Sequence, residues 1–272
     1  MTLKSPRYGT TVKHVGETPL VALERFRLEH RIPFRTPLAY AGRLDPMASG
    51  KLLILIDDEC KVQEKYHSLD KEYQVEVLLG VSSDSGDVLG LLSSSPQKSV
   101  TEMGVKTVLK KFIGPITLPY PHFSSKTVRG KPLHTWTLEN RLGEIEIPKK
   151  KSTIHALTFR GLRTLTRSEV LTIARTKIET IPLVTDPKKA LGADFRRDAV
   201  RASWNELEKT GRETYQILSF SCIASSGTYM RTLGEYIAKE LGTTGLAYSI
   251  HRTKIGKYVP LTRMFGFWGK NY

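Results

Sequence analysis

An α/β (α+β) fold is predicted by three observations on the 272-residue sequence. Apolar and polar residues alternate over residues 72–79 and 217–224, the period of strands. Apolar stripes of helical period run over residues 101–112 and 230–241. The composition, 39% hydrophobic and 25% charged, is that of a globular chain long enough for one large domain or two small ones.

In chain order, Thr18 offers an N-cap hydroxyl and Pro19 the fixed φ suited to a first helical position. They open a helix towards His30 with Leu20, Leu23 and Phe26 on its apolar face and Arg25, Arg27 and Arg31 around it. Residues 52–56 are all apolar, the composition of a buried strand. Tyr73, Val75, Val77 and Leu79 form one face of the next strand, which Tyr73 opens. Residues 82–95, rich in Ser, Gly and Asp, read as loop. Thr101 caps a helix carrying Val105, Val108, Leu109 and Phe112 on one stripe, and Gly114-Pro115 stops it. Prolines at 119, 121 and 132 make residues 118–133 an extended, irregular excursion. Ile145 and Ile147 mark a strand before Lys149-Lys150-Lys151, a run that reads either as a solvated turn or as a phosphate contact.

Residues 161–211 are polar and arginine-rich, with helices expected around 167–178 and 185–208. They read as a basic helical insertion, either a surface appendage or an extension of a nucleic-acid footprint. After the strand at 217–224, Gly227 turns the chain into a helix whose Met230, Leu233, Ile237 and Leu241 share a face, with Gly242 as its stop. Arg231 therefore sits in the first turn after a strand-to-helix corner, well placed to reach into a cleft.

The net charge of +15 and a pI near 9.7 point to a polyanionic partner, nucleic acid rather than membrane. No apolar stretch approaches the roughly 20 residues of a membrane span, and the first residues lack an apolar signal core. Cys60 and Cys222 make no disulfide framework and read as reduced core residues of a cytoplasmic protein. The seven histidines lack zinc spacing, so no metal site is predicted.

The densest chemical signal is Ala39-Tyr40-Ala41-Gly42-Arg43-Leu44-Asp45-Pro46-Met47-Ala48-Ser49-Gly50. Gly42 and Gly50 permit backbone conformations that a side chain forbids, and Pro46 keeps Asp45 out of the helical region. The loop thus presents one carboxylate rigidly, although Asp-Pro with flanking glycine is also ordinary turn chemistry.

This segment resembles the catalytic loop of the TruB-type tRNA pseudouridine synthases, whose pattern runs G-T-L-D-P-x-A-x-G-x-L. Four further blocks follow that family's order: Gly16-Glu17-Thr18-Pro19; Lys71-Glu72-Tyr73 leading to Leu79-Gly80-Val81-Ser82-Ser83-Asp84-Ser85-Gly86-Asp87; Pro121-His122-Phe123-Ser124-Ser125 with Gly130-Lys131-Pro132-Leu133; and Ser226-Gly227-Thr228-Tyr229-Met230-Arg231-Thr232-Leu233. The resemblance implies a mixed, largely antiparallel sheet flanked by helices. Residues 1–160 and 212–272 would form the catalytic domain and 161–211 the insertion. Many members carry a further small RNA-binding domain, and too little sequence follows Arg252-Thr253 here for a complete one to be expected.

The implied reaction breaks the bond from C1′ to N1 of a uridine, turns the base, and joins C5 to C1′. It exchanges no electrons or groups, so no cofactor is expected. The resemblance makes Asp45 the nucleophilic carboxylate, Arg231 its counter-ion, and Tyr73 the surface on which the extruded uracil stacks and the candidate for handling the C5 proton. Tyr40, Arg43, Tyr229 and Leu233 are the expected substrate-binding residues. The implied partner is RNA, the T-arm of tRNA with its uridine at conventional position 55, and no obligate protein partner is evident.

The chain departs from the family pattern at Tyr40, where a histidine is usual, at Arg43 for a threonine, and at Glu17 for a lysine. A tyrosine at position 40 can stack or donate one hydrogen bond, but it cannot take a role that needs an imidazole. These departures keep open a non-catalytic RNA-binding or tRNA-remodelling role. A methyltransferase is disfavoured because no glycine-rich strand-to-helix fingerprint is present.

Overall fold

The computed structural model describes residues 7–95, 99–182, 196–261 and 265–272. In chain order these form β1 (Tyr8–Lys13), α1 (Pro19–Glu29), β2 (Leu38–Ala41), β3 (Ser49–Ile56), α2 (Glu64–His67), β4 (Asp70–Leu79), β5 (Val81–Ser83) and β6 (Leu92–Ser94). Next come α3 (Glu102–Lys111), β7 (Gly114–Pro119), β8 (Thr127–Val128), β9 (Lys131–Pro132), α4 (Leu133–Leu138), β10 (Lys149–Thr166), α5 (Arg167–Glu179) and α6 (Arg197–Thr210). The last are β11 (Thr214–Ala224), α7 (Met230–Glu240), β12 (Gly245–Pro260) and β13 (Gly266–Asn271).

Among the described residues, nine strands form one sheet along the path β1-β3-β12-β4-β11-β10-β7, with β2 added to β3 and β13 to β12. Every pairing is antiparallel except one: His251 and Arg252 of β12 run parallel to Ser49 and Gly50 of β3. The mixed, largely antiparallel sheet is therefore the one expected. Residues 52–56 of β3 are all apolar because both faces of the strand are covered there. Leu52, Ile54 and Ile56 pack on Leu23 and Phe26 of α1, while Leu53 and Leu55 pack on Tyr66 and Ile255.

Thr18 caps α1, its hydroxyl accepting from Val21 N at 3.2 Å, and Thr101 caps α3 through Gly104 N at 3.2 Å. The buried stripe of α1 is Ala22, Leu23 and Phe26, so Leu20, expected inside, is 58% exposed. Four helices share the principal core with the sheet, contributing Val105 and Leu109 of α3, Val170 of α5, Trp204 of α6, and Leu233 and Ile237 of α7.

Several local expectations are corrected. Residues 82–95 are not simply loop: β5 and β6 form a hairpin whose turn is tied by Asp84 and Asp87 carboxylates accepting from Leu91 N and Leu89 N. Ile145 and Ile147 lie outside any strand, and the lysine run is the start of β10, Lys149–Lys151 pairing with Pro119–Thr117 of β7. A backbone ladder accepts lysines where their ammonium groups reach solvent.

The boundary at 161 falls inside β10, which stays paired with β11 as far as Thr166 opposite Thr214. α5 and α6 are seated in the principal core, and Trp204 is fully buried with its indole N–H donating to Val88 O at 3.0 Å. Part of the expected helix at 185–208 lies outside the described residues. Three arginines of this segment are held in ion pairs at the surface: Arg175 pairs with Glu208 and Arg201 with Glu179, both at 2.6 Å, and Arg163 with Glu76 at 3.0 Å.

Candidate active site

Asp45 sits in the loop from β2 to β3. Gly42 and Gly50 take φ of 80° and 111°, as the sequence requires, and Ala48 N closes the turn on Asp45 O at 3.0 Å. A Cβ on Gly50 would lie 2.2 Å from Arg252 O, so glycine is what lets β3 and β12 meet. Two buried cations grip the loop from below. Lys13, at the end of β1, donates to His14 O at 2.9 Å, Pro46 O at 3.2 Å and Ala48 O at 2.5 Å. Arg252 donates to Lys51 O at 2.7 Å, Gly42 O at 3.0 Å and Arg43 O at 3.4 Å. Burial pushes the Lys13 ammonium down to about 8.

Arg231 enters from the first turn of α7 and is 4% exposed. Its Nε donates to Asp45 Oδ2 at 2.8 Å, Nη1 to Ser85 O at 2.6 Å and Nη2 to Phe123 O at 3.1 Å. Burial alone would depress this guanidinium; the attraction of Asp45 and Asp87 outweighs it and holds the group above its ordinary value. Asp87 Oδ2 lies 3.7 Å from Arg231 Nε, and burial pushes the Asp87 carboxyl up against that pull. Glu235, one turn along α7, is raised by burial to about 7. Gly86 lies against this acid, since a Cβ there would come within 2.8 Å of Glu235 Oε1.

Two cavities flank Asp45. The larger, about 490 Å³, is lined by Tyr40, Arg43, Asp45, Asp87, Phe123 and Arg196 among others. The smaller, about 240 Å³, is lined by Asp45, Lys71, Tyr73, Tyr229, Arg231 and Arg252 among others. The second lies just below the ~300–1,000 Å³ of drug-sized ligand sites, a size suited to one base.

The three residues expected to carry chemistry thus converge on the smaller cavity, and Arg43 and Tyr229 join them there. Burial pushes the Tyr73 phenol up, opposed by the neighbouring Arg252, which also hydrogen-bonds it. Tyr229 meets Tyr120 at 5.5 Å between ring centroids, and Lys126 Nζ lies 5.5 Å from the Tyr120 centroid. Tyr40 lines only the larger cavity, with its carbonyl accepting from Gln63 Nε2 at 2.8 Å. Leu233 lines neither: it is fully buried in the core beneath α7, as its helical stripe implies. Glu17 is held by Arg25 Nε at 3.1 Å. Sequence reasoning missed Lys13, whose burial no local pattern announces. It also gave Asp87 no role, although Asp87 closes a motif block.

The profile described as TruB family pseudouridylate synthase (N terminal domain) matches residues 34–176, more than half of the chain, and so defines the class as that of pseudouridylate synthases. Within that class, the chain belongs to the TruB family. It is 26% identical over 225 residues to tRNA pseudouridine synthase B of Caldicellulosiruptor saccharolyticus, covering 83% of this chain and 60% of that protein. It is 30% identical over 236 residues to tRNA pseudouridine synthase 4 of Saccharomyces cerevisiae, covering 76% of this chain and 58% of that protein. The chain therefore spans about three fifths of the length of these relatives. The fold is similar to a chain in the crystal structure of a Cbf5-Nop10-Gar1 complex, with a TM-score of 0.53 and 14% identity, covering 92% of this chain and 48% of that one. Among the described residues no helix is long and apolar enough to cross a membrane.

Proposed function

We propose that the chain isomerises uridine to pseudouridine in RNA, acting on the T-loop uridine of tRNA in the cytoplasm, with Asp45 as nucleophile. The observation that carries this reading is the Asp45–Arg231 pair at 2.8 Å, set between two cavities with Arg231 buried and the Asp45 side chain 36% exposed. The guanidinium holds the carboxylate by a charge-assisted hydrogen bond and so fixes the direction of its lone pairs. Arg231 is itself tethered to Ser85 O and Phe123 O, so it holds Asp45 in place without following the substrate.

The target uridine is stacked within its loop and must be extruded, at a cost of a few kcal/mol, to reach Asp45. Tyr73 then supplies a flat face for the base, and burial keeps its phenol neutral at working pH. Asp45 bonds to C1′ as the C1′–N1 bond breaks; the detached base turns, C5 displaces the carboxylate from C1′, the C5 proton leaves and N1 gains a proton. Arg43 and Tyr229 border the same space and would contact the nucleotide. The net charge of +15 supports a phosphate-led encounter.

The test is tritium release from an unmodified tRNA transcript labelled at uridine C5, comparing wild type with Asp45→Asn and mapping the product nucleotide. Release by wild type alone, at the T-loop uridine, is the expected result. Binding of that tRNA without release from any transcript would favour the non-catalytic reading, for which the tyrosine at position 40 is the motivating departure.

A further inference from the structure

Ser124 lies in the segment between β7 and β8 that walls both cavities beside Asp45. Its backbone is fixed by its neighbours. Phe123 O accepts from Arg231 Nη2 at 3.1 Å, and Ser124 O accepts from His134 N at 3.2 Å. His134 Nδ1 also lies 3.0 Å from Ser124 O, a contact that assigns the proton to Nδ1. On the other side, Arg43 Nη1 donates to Ser125 Oγ at 3.4 Å. The Ser124 side chain is left out of this scheme. The residue is 8% exposed, and its Oγ is sealed from bulk solvent with no hydrogen-bond partner among the described residues.

A buried hydroxyl without a partner destabilises the fold, and native proteins rarely keep one without a use. Alanine would remove the penalty with almost no change of shape. Ser124 lines both cavities, so rotation about its χ1 would turn this hydroxyl towards a group that arrives there. Resting on the proposed function, we propose that Ser124 is a substrate-contacting residue whose hydroxyl donates a hydrogen bond to an oxygen of the target nucleotide once that nucleotide is extruded beside Asp45. Two base carbonyls and the ribose 2′-hydroxyl are the exocyclic oxygens close to the reacting bonds. The contact adds specificity for uridine if it is made to a carbonyl, and for RNA over DNA if it is made to the 2′-oxygen.

The test uses the full chain and T-arm hairpin RNAs whose target uridine is unmodified, 4-thiouridine, 2-thiouridine or 2′-deoxyuridine. Single-turnover rates, hairpin Kd and Tm are measured for wild type, Ser124→Ala and Ser124→Thr. Ser124→Ala is expected to keep or raise Tm, to lose about ten- to a hundredfold in rate on unmodified RNA, and to regain partial activity as threonine. The alanine penalty should shrink on the one analogue that lacks the contacted oxygen, which names the atom. Equal rates and Kd for wild type and Ser124→Ala would overturn the proposal while leaving the isomerase reading intact. The same penalty on all four RNAs with a lowered Tm would also overturn it, marking a purely structural serine. If wild type converts no hairpin, the isomerase reading fails and Kd decides the Ser124 contact. Weaker hairpin binding by Ser124→Ala, confined to RNAs that keep one particular oxygen, supports it, and unchanged Kd overturns it.

Discussion

The Arg231 guanidinium divides its donors among Asp45 Oδ2, Ser85 O and Phe123 O, so one planar group joins the Asp45 loop, the hairpin turn and the β7–β8 segment. Lysine keeps the charge but cannot span three acceptors in fixed directions. Arg231→Lys is therefore expected to lower the single-turnover rate by about 10²-fold while changing tRNA affinity little. A loss confined to affinity would contradict this account. Asp45→Asn preserves shape and removes the proposed nucleophile, so turnover should vanish with fold and binding intact, as tritium release and a binding isotherm would show. Tyr73→Phe keeps the stacking face and removes the hydroxyl; if the phenol handles the C5 proton, the rate falls by about 10²–10⁴-fold at unchanged Kd. Asp45 and Arg231 were legible because each sits in a dense motif block at a backbone corner. Lys13 was not, since its burial depends on carbonyls of a loop more than thirty positions away in the chain.

Elements were legible where their signals are local. Thr18, Thr101 and Gly242 delimit helices through contacts within a turn, and apolar and polar residues alternate over 73–77 of β4 and 218–222 of β11. β12 escaped notice because irregularities between Ala247 and Ser249 and between Arg252 and Lys254 break its alternation. The start of β10 escaped because three lysines read as a turn, and only the distant partner β7 makes them a strand. The junction of β3 with β12 is the element-scale feature most open to test. Gly50→Ala places a side chain at φ 111° and against Arg252 O. It should cost more than about 1 kcal/mol, read as a lower urea midpoint, and should reduce activity beyond the fraction unfolded because the Asp45 loop shifts with it.

Across the whole molecule, 42 basic against 27 acidic side chains predict that tRNA affinity falls steeply with salt. A flat log–log plot of Kd against salt would exclude a phosphate-led interface. Stability should also carry a mark of Glu235, raised to about 7 from its ordinary 4.5. The native state holds that proton more tightly than the unfolded chain, so the contribution is full below pH 4.5 and is lost as pH rises through 7. Thermal melts of Glu235→Gln should lack this component of the pH profile. The parallel contact of Gly50 with Arg252 has a further consequence, for the order in which the molecule is made. A ribosome delivers Asp45, Tyr73 and Arg231 before it delivers Arg252, so a growing chain contains all three while the loop bearing Asp45 still lacks one of its two anchors. The second anchor of the Asp45 loop is thus a contact between residues 201 and 210 positions apart, the kind of pairing that forms late because its loop-closure cost is large.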